Sequence, residues 1–189
     1  MQQPLKLIMT PIEEYEKTGT SPLRGKEVLV EMTSTQCDMT GVGFFTVRRD
    51  LPPERVLKEI GGENNQYSLV SEGYLDLEEG RLTLSYEETA IEGVEGCYSY
   101  ISFDLSDPDC ITVERRGAIE SSFVISKGQR MYSVYSTPFG NIDMCTYGKR
   151  VENELSENGG TLLLEYAVEL RGLTAQRTKM EVKVKELKR

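Results

Sequence analysis

Apolar and polar residues alternate with a period of two along most of this chain, the pattern of half-buried β-strands rather than of helices. Val28, Val30 and Met32 alternate with Leu29, Glu31 and Thr33, and Leu82, Leu84 and Tyr86 alternate with Thr83, Ser85 and Glu87. The longest run sets Leu162, Leu164, Tyr166, Val168 and Leu170 on one face against Thr161, Leu163, Glu165, Ala167, Glu169 and Arg171 on the other. Shorter alternations cover 69–77, 97–104, 111–115, 119–125, 131–135 and 142–147, and a last one carries Met180, Val182 and Val184. Nine or so strands are expected. Turn-forming residues fall between them at Glu79-Gly80, Asp107-Pro108-Asp109, Lys127-Gly128, Pro138-Phe139-Gly140-Asn141, Asn158-Gly159-Gly160 and Gly172.

Connections this short leave no room for crossover helices, so the sheet is expected to be mainly antiparallel. A sheet of that many strands hides its edges by curling or closing, which favours a single barrel over a two-sheet sandwich. Two short helices complete the expectation. Thr10-Pro11-Ile12-Glu13 reads as a capping box opening a helix through Lys17. Asp50 to Ile60 has a capping Asp, Pro52 and Pro53 in the first turn, an apolar stripe of Val56, Leu57 and Ile60, and Gly61-Gly62 as a stop.

At 189 residues, with 28% charged and 38% hydrophobic residues, the chain suits one globular domain with a core that needs no staples. Residues 1–25 precede the first strand as an N-terminal extension, and 37–66 form an insertion between the first and second strands. Met1 to Thr10 hold a single Lys and an apolar stretch, Leu5 to Met9, too short for a secretory signal, so a cytoplasmic location is expected. No run approaches the length of a membrane-spanning helix, so no membrane partner is expected. Cys37, Cys97, Cys110 and Cys145 lie far apart, without the close spacing of zinc or redox pairs, and read as small buried hydrophobes. Net charge is −9 and uneven: 50–110 hold 15 acids against three bases, whereas 171–189 hold seven bases and two acids. The basic residues alternate with apolar ones, as on the wet face of a strand, and an acidic chain repels phosphate at long range, which argues against nucleic acid.

From Gly73 onward the sequence resembles a bacterial family classed as a domain of unknown function, whose members are calycin-like, that is lipocalin-like, β-barrels. The resemblance rests on Gly73-Tyr74, Leu82-Thr83-Leu84-Ser85-Tyr86-Glu87-Glu88, Arg115-Arg116-Gly117 and Tyr135-Ser136-Thr137-Pro138-Phe139-Gly140. Gly159-Gly160 leading into Glu165-Tyr166, with Gly172, completes it, and Lys26 to Gln36 looks like the family's first strand. The resemblance implies an all-β fold, one antiparallel barrel of about 8–10 strands, over roughly 67–187. Barrels of this kind often hold small apolar ligands, but fold alone does not assign function.

There is no histidine in the chain, which removes the commonest general base, nucleophile partner and metal ligand. No motif calls for a cofactor or a metal, and no enzymatic activity is expected. Glu87-Glu88 and Glu78-Glu79 are carboxylate pairs, but neighbours on a strand point to opposite faces and do not converge on one bond. Thr40-Gly41-Val42-Gly43-Phe44 has a lone Gly-x-Gly without the Lys and helix of a phosphate cradle. Ten tyrosines are the richer signal, since each joins a flat apolar ring to a hydroxyl that needs a partner when buried. Arg115, Tyr86, Glu88, Tyr135, Thr137 and Tyr166 form the candidate ligand-binding set: inward-facing, they would let Arg115 hold a carboxylate or phosphate inside the barrel. The structural alternative is that Arg115 pairs with Glu88 and the tyrosines fill the core. Two functions from other classes stand beside ligand binding: a protein-interaction module acting through 37–66 or the acidic surface, and an enzyme using carboxylate, Tyr and Arg groups.

Overall fold

The structure is a computed structural model, and it describes residues 23–38, 64–88, 96–117, 121–137, 140–170 and 172–187. Ten strands follow one another: β1 (Lys26–Asp38), β2 (Asn64–Glu78), β3 (Arg81–Glu87), β4 (Tyr98–Asp104), β5 (Asp107–Arg116), β6 (Ser121–Ser126), β7 (Arg130–Thr137), β8 (Gly140–Asn153), β9 (Gly160–Leu170) and β10 (Leu173–Glu186). They pair antiparallel in one sheet of order β6-β5-β4-β3-β2-β1-β10-β9-β8-β7, a meander rolled into a nearly closed barrel. The first and last strands pair through the middle of this order, Val30 opposite Val184 and Met32 opposite Val182. The two helices expected over 10–17 and 50–60 lie outside the described residues.

The expected turns mostly hold, with local differences. Glu79 and Gly80 both have positive φ, 50° and 83°, as a two-residue primed turn between β2 and β3 requires. The β4–β5 turn sits at Leu105-Ser106, and Asp107-Pro108-Asp109 instead begins β5. Asp104 holds that turn through hydrogen bonds from the amide and hydroxyl of Ser106. β1 runs to Asp38 and β2 begins at Asn64, so the connection between them is 39–63 rather than the 37–66 of the sequence reading.

Because all neighbours are antiparallel, the barrel has two distinct ends. At one, short connections at 79–80, 105–106, 127–129 and 154–159 close a packed apolar core; Val28, Leu82, Ile111, Leu162 and Leu164 are fully buried there. Toward the other end, the inward-facing positions of β1, β5 and β10 change character. β1 runs Val28, Val30, Met32, then Ser34 and Gln36; β10 runs Val184, Val182, Met180, then Thr178 and Gln176; β5 runs Ile111, Val113, then Arg115. Burial falls along the same direction, to half-buried Gln36, Tyr67, Arg115, Phe123, Tyr166 and Gln176.

Closure is achieved by overlap. β6 and β7 are separated by only residues 127–129, yet they form no ladder and are the two ends of the sheet order. β6 packs instead under the inward face of β8. The Thr146 hydroxyl donates to the Val124 carbonyl at 2.5 Å, the Gly128 amide donates to the Gly148 carbonyl at 2.8 Å, and a Cβ on Gly148 would lie 2.3 Å from the Ser126 carbonyl oxygen. Glycine is what allows that approach. β7 extends past β6 as an overhanging edge.

Candidate functional site

The polar end of the interior is where the candidate residues meet. Glu88 follows the last residue of β3 and is buried, while its neighbour Glu87 is exposed, as strand alternation demands. Ser99, on β4, donates to Glu88 Oε1 at 2.9 Å. Arg115, near the end of β5, places its NH2 nitrogen 3.6 Å from that same oxygen. The pair is asymmetric: the Glu88 side chain is 1% exposed and that of Arg115 is 28% exposed. Glu88 Oε2 is buried with no hydrogen-bond partner. At 3.6 Å the contact is an ion pair without a hydrogen bond, and among the described residues the remaining Arg115 N–H groups have no partner.

Aromatic side chains surround the guanidinium. Burial alone would lower the Arg115 pKa, but the Glu88 carboxylate and the oxygens of Tyr67, Tyr86 and Tyr166 outweigh it and hold the pKa above the ordinary arginine value. Tyr86 is buried; its hydroxyl donates to Met32 Sδ at 3.4 Å, and burial, followed by the Glu88 charge, pushes its pKa well above the usual phenol range. Tyr166 is pushed up to about 12, chiefly by burial, and its ring lies 5.7 Å from that of Phe123.

The hydrogen-bond directions have a chemical consequence. Gln176 donates to Gln36 Oε1 at 2.8 Å, which turns Gln36 Nε2 toward the Tyr67 oxygen at 3.4 Å. Thr178, paired across the ladder with Tyr166, makes a hydrogen bond with the phenol that lowers its pKa. Tyr67 accepts from the wall and keeps its own O–H hydrogen, for which the described residues offer no acceptor. Together with Arg115 it makes a surface of donors, and the one carboxylate that the described residues bring here, Glu88, is sealed behind the arginine.

Of the six candidate residues, Arg115, Tyr86, Glu88 and Tyr166 are brought together. Tyr135 and Thr137 sit on the last residues of β7, and their side chains lie outside the described residues. The Arg115–Glu88 pair expected as the structural alternative does form, though loosely. Sequence reasoning passed over Tyr67, Gln36, Gln176, Thr178, Ser99 and Phe123. Their common signal is a polar or aromatic residue continuing the inward phase of a strand beyond its last aliphatic residue. Of the four cysteines, none of them in a disulfide, Cys97 and Cys145 are buried, and Cys37 and Cys110 only partly so. Among the described residues, no group of three or more Cys, Asp and Glu could hold a metal ion, and no helix is long and apolar enough to cross a membrane.

Residues 56–182 match the family model described as Domain of unknown function (DUF1934), two thirds of the chain. The chain belongs to the DUF1934 family. The fold agrees: the crystal structure of the ywiB protein from Bacillus subtilis superposes with a TM-score of 0.61, covering 86% of this chain and 93% of that one at 14% identity. No curated protein matches the sequence. The DUF1934 match takes in Tyr67, Tyr86, Glu88, Arg115 and Tyr166, so the cluster lies within the family's own domain rather than in the N-terminal extension.

Proposed function

We propose that this DUF1934 barrel binds a small amphipathic carboxylate or similar anion in the polar end of its interior. The observation that carries the reading is the one-sided chemistry of Arg115: its carboxylate partner is buried behind it at 3.6 Å, while on its partly exposed side its N–H groups have no partner among the described residues and the nearby Tyr67 hydroxyl has a hydrogen to give. A ligand there needs acceptors and no donors, which selects an anion over an amine or an alcohol. The rings of Tyr67, Phe123 and Tyr166 supply an apolar wall for its body. An arginine serving only as a structural partner would be expected to close on the carboxylate with two N–H···O bonds, and this pair makes none.

Binding without catalysis is the simplest role for such a site. Among the described residues it holds one carboxylate, already committed to Arg115 and Ser99, and the chain has no histidine to act beside it. A cytoplasmic location suits four cysteines that form no disulfide.

Dodecanoate and dodecanol share a body and differ in the charged group, so calorimetric titration of both tests the reading. Dodecanoate is expected to bind saturably, one per chain. Arg115→Met should weaken it about tenfold or more, the worth of a charge-assisted hydrogen bond, and leave dodecanol unchanged. No saturable binding of dodecanoate, or equal binding by the variant, would overturn the proposal.

A further inference from the structure

β7 is an edge that the described residues leave unprotected. It pairs with β8 from Arg130↔Tyr147 to Thr137↔Gly140 without a bulge, and among the described residues its other side has no partner strand, because β6 is held under β8. Soluble proteins usually blunt such an edge with lysines, prolines or bulges. The sequence Arg130-Met131-Tyr132-Ser133-Val134-Tyr135-Ser136-Thr137 contains none of these, and its single charge is neutralised by Glu169, which accepts from Arg130 Nε and NH2, each at 3.1 Å. Beyond Arg130, the outward side chains are apolar and bare: Tyr132 is 81% exposed and Val134 58% exposed. Tyr132 also lines an outer groove of about 410 Å³, whose other walls include Arg130, Asp143 and Glu169 beside Cys145.

From this we infer that β7 is a docking edge for a second copy of this chain, the two β7 strands pairing antiparallel about a two-fold axis through Ser133. Identical antiparallel strands are self-complementary in their backbone donors and acceptors, so a free edge of this kind fits its own copy by construction. Centring the axis on Ser133 keeps outward side chains on one side and sets Tyr132 opposite Val134 of the second copy, twice over. An aromatic ring against a β-branched side chain is a favourable cross-strand pair. No charge is brought against a like charge, since the only one on the strand is already paired with Glu169 within its own barrel. The result is a continuous sheet across two barrels, with the two exposed apolar stripes packed side by side on its outer face.

The test is sedimentation equilibrium of the pure full chain from micromolar to submillimolar concentration, beside Val134→Lys. Val134 is exposed in the monomer, so the lysine should leave the melting temperature unchanged. The wild type is expected to show twice the chain mass at the upper end, and the variant to dissociate at least about tenfold more readily, as edge lysines oppose strand pairing. A second variant, Tyr132→Glu, should act alike. A wild type that stays monomeric throughout, or a dimer indifferent to both substitutions, would overturn the inference, as would an edge that associates only with a different protein. None of these outcomes bears on dodecanoate binding at the far side of the sheet.

Discussion

Tyr67 and Glu88 divide the work of the site between them, and each can be removed without touching Arg115. Tyr67 receives a hydrogen bond from Gln36 and has its own hydrogen to offer, so Tyr67→Phe deletes one donor and keeps the ring. Dodecanoate binding should weaken by about 1 kcal/mol, or roughly fivefold, with little change in stability. Glu88→Gln works in the opposite sense. The glutamine can still accept from Ser99, but the counter-charge of Arg115 is gone, so the guanidinium is left in excess of positive charge. Unfolding free energy should fall by about 1–3 kcal/mol, because the half-exposed arginine loses its partner to partial solvation. Dodecanoate should bind severalfold more tightly. A purely structural ion pair predicts the loss of stability and no gain in affinity, so measuring both separates the two roles.

At the scale of strands, the inward phase of β9 shows how far the sequence is legible. Leu162, Leu164 and Tyr166 alternate so regularly that length, face and the inward tyrosine can all be read directly. The same holds for Val28 to Met32 and for Met180 to Val184. β2 is less legible at its start, since Asn64 to Gln66 pair with Cys37 to Thr35 through backbone bonds that any side chain permits. The beginning of β5 is misread as a turn because Asp-Pro-Asp is turn chemistry, yet Leu105-Ser106 already makes the reversal and Pro108 needs no ladder bond of its own near the strand end. The polar site residues are hard to find for a related reason: Gln36, Gln176 and Thr178 look like the wet ends of strands until the register sets them beside Tyr67 and Tyr166. Overlap of β6 beneath β8 has no periodic signature whatever. It depends on the absence of one Cβ, at Gly148, and makes a sharp prediction: Gly148→Ala should destabilise the barrel by about 1–3 kcal/mol, read from urea unfolding. Ala at exposed Gly128 would be the wrong control, because its φ of 72° brings strain of its own. Thr146→Val is the better companion, costing roughly 1–2 kcal/mol through the lost hydroxyl bond to Val124.

The whole molecule is a sheet rolled so that its first and last strands meet in the middle of the wall and its seam falls between two strands adjacent in sequence. One end is packed solid with aliphatic side chains, and the phenols are gathered at the other, where burial raises the pKa values of Tyr86 and Tyr166. That arrangement sets how the fold responds to alkali. Tyr166 has a folded-state pKa pushed up to about 12, against 10.0 for a free tyrosine, chiefly through burial. A raised pKa means that the folded state holds its proton more tightly than the unfolded one, so the associated stability is complete below the unfolded value and is lost as pH climbs toward the folded one. Between roughly pH 10 and 12 the unfolded chain gives up this proton while the folded barrel keeps it, and unfolding becomes easier by on the order of 2 kcal/mol from this residue alone. Tyr86, shifted in the same direction by burial and by Glu88, adds to the effect. Urea unfolding across that window should therefore show a steep loss of stability in the wild type and a shallower one in Tyr166→Phe, with the phenolate absorbance of the buried tyrosines appearing together with loss of structure. If the two proteins lose stability in parallel, Tyr166 titrates freely in the fold and its hydroxyl stands in water rather than in the wall of the site.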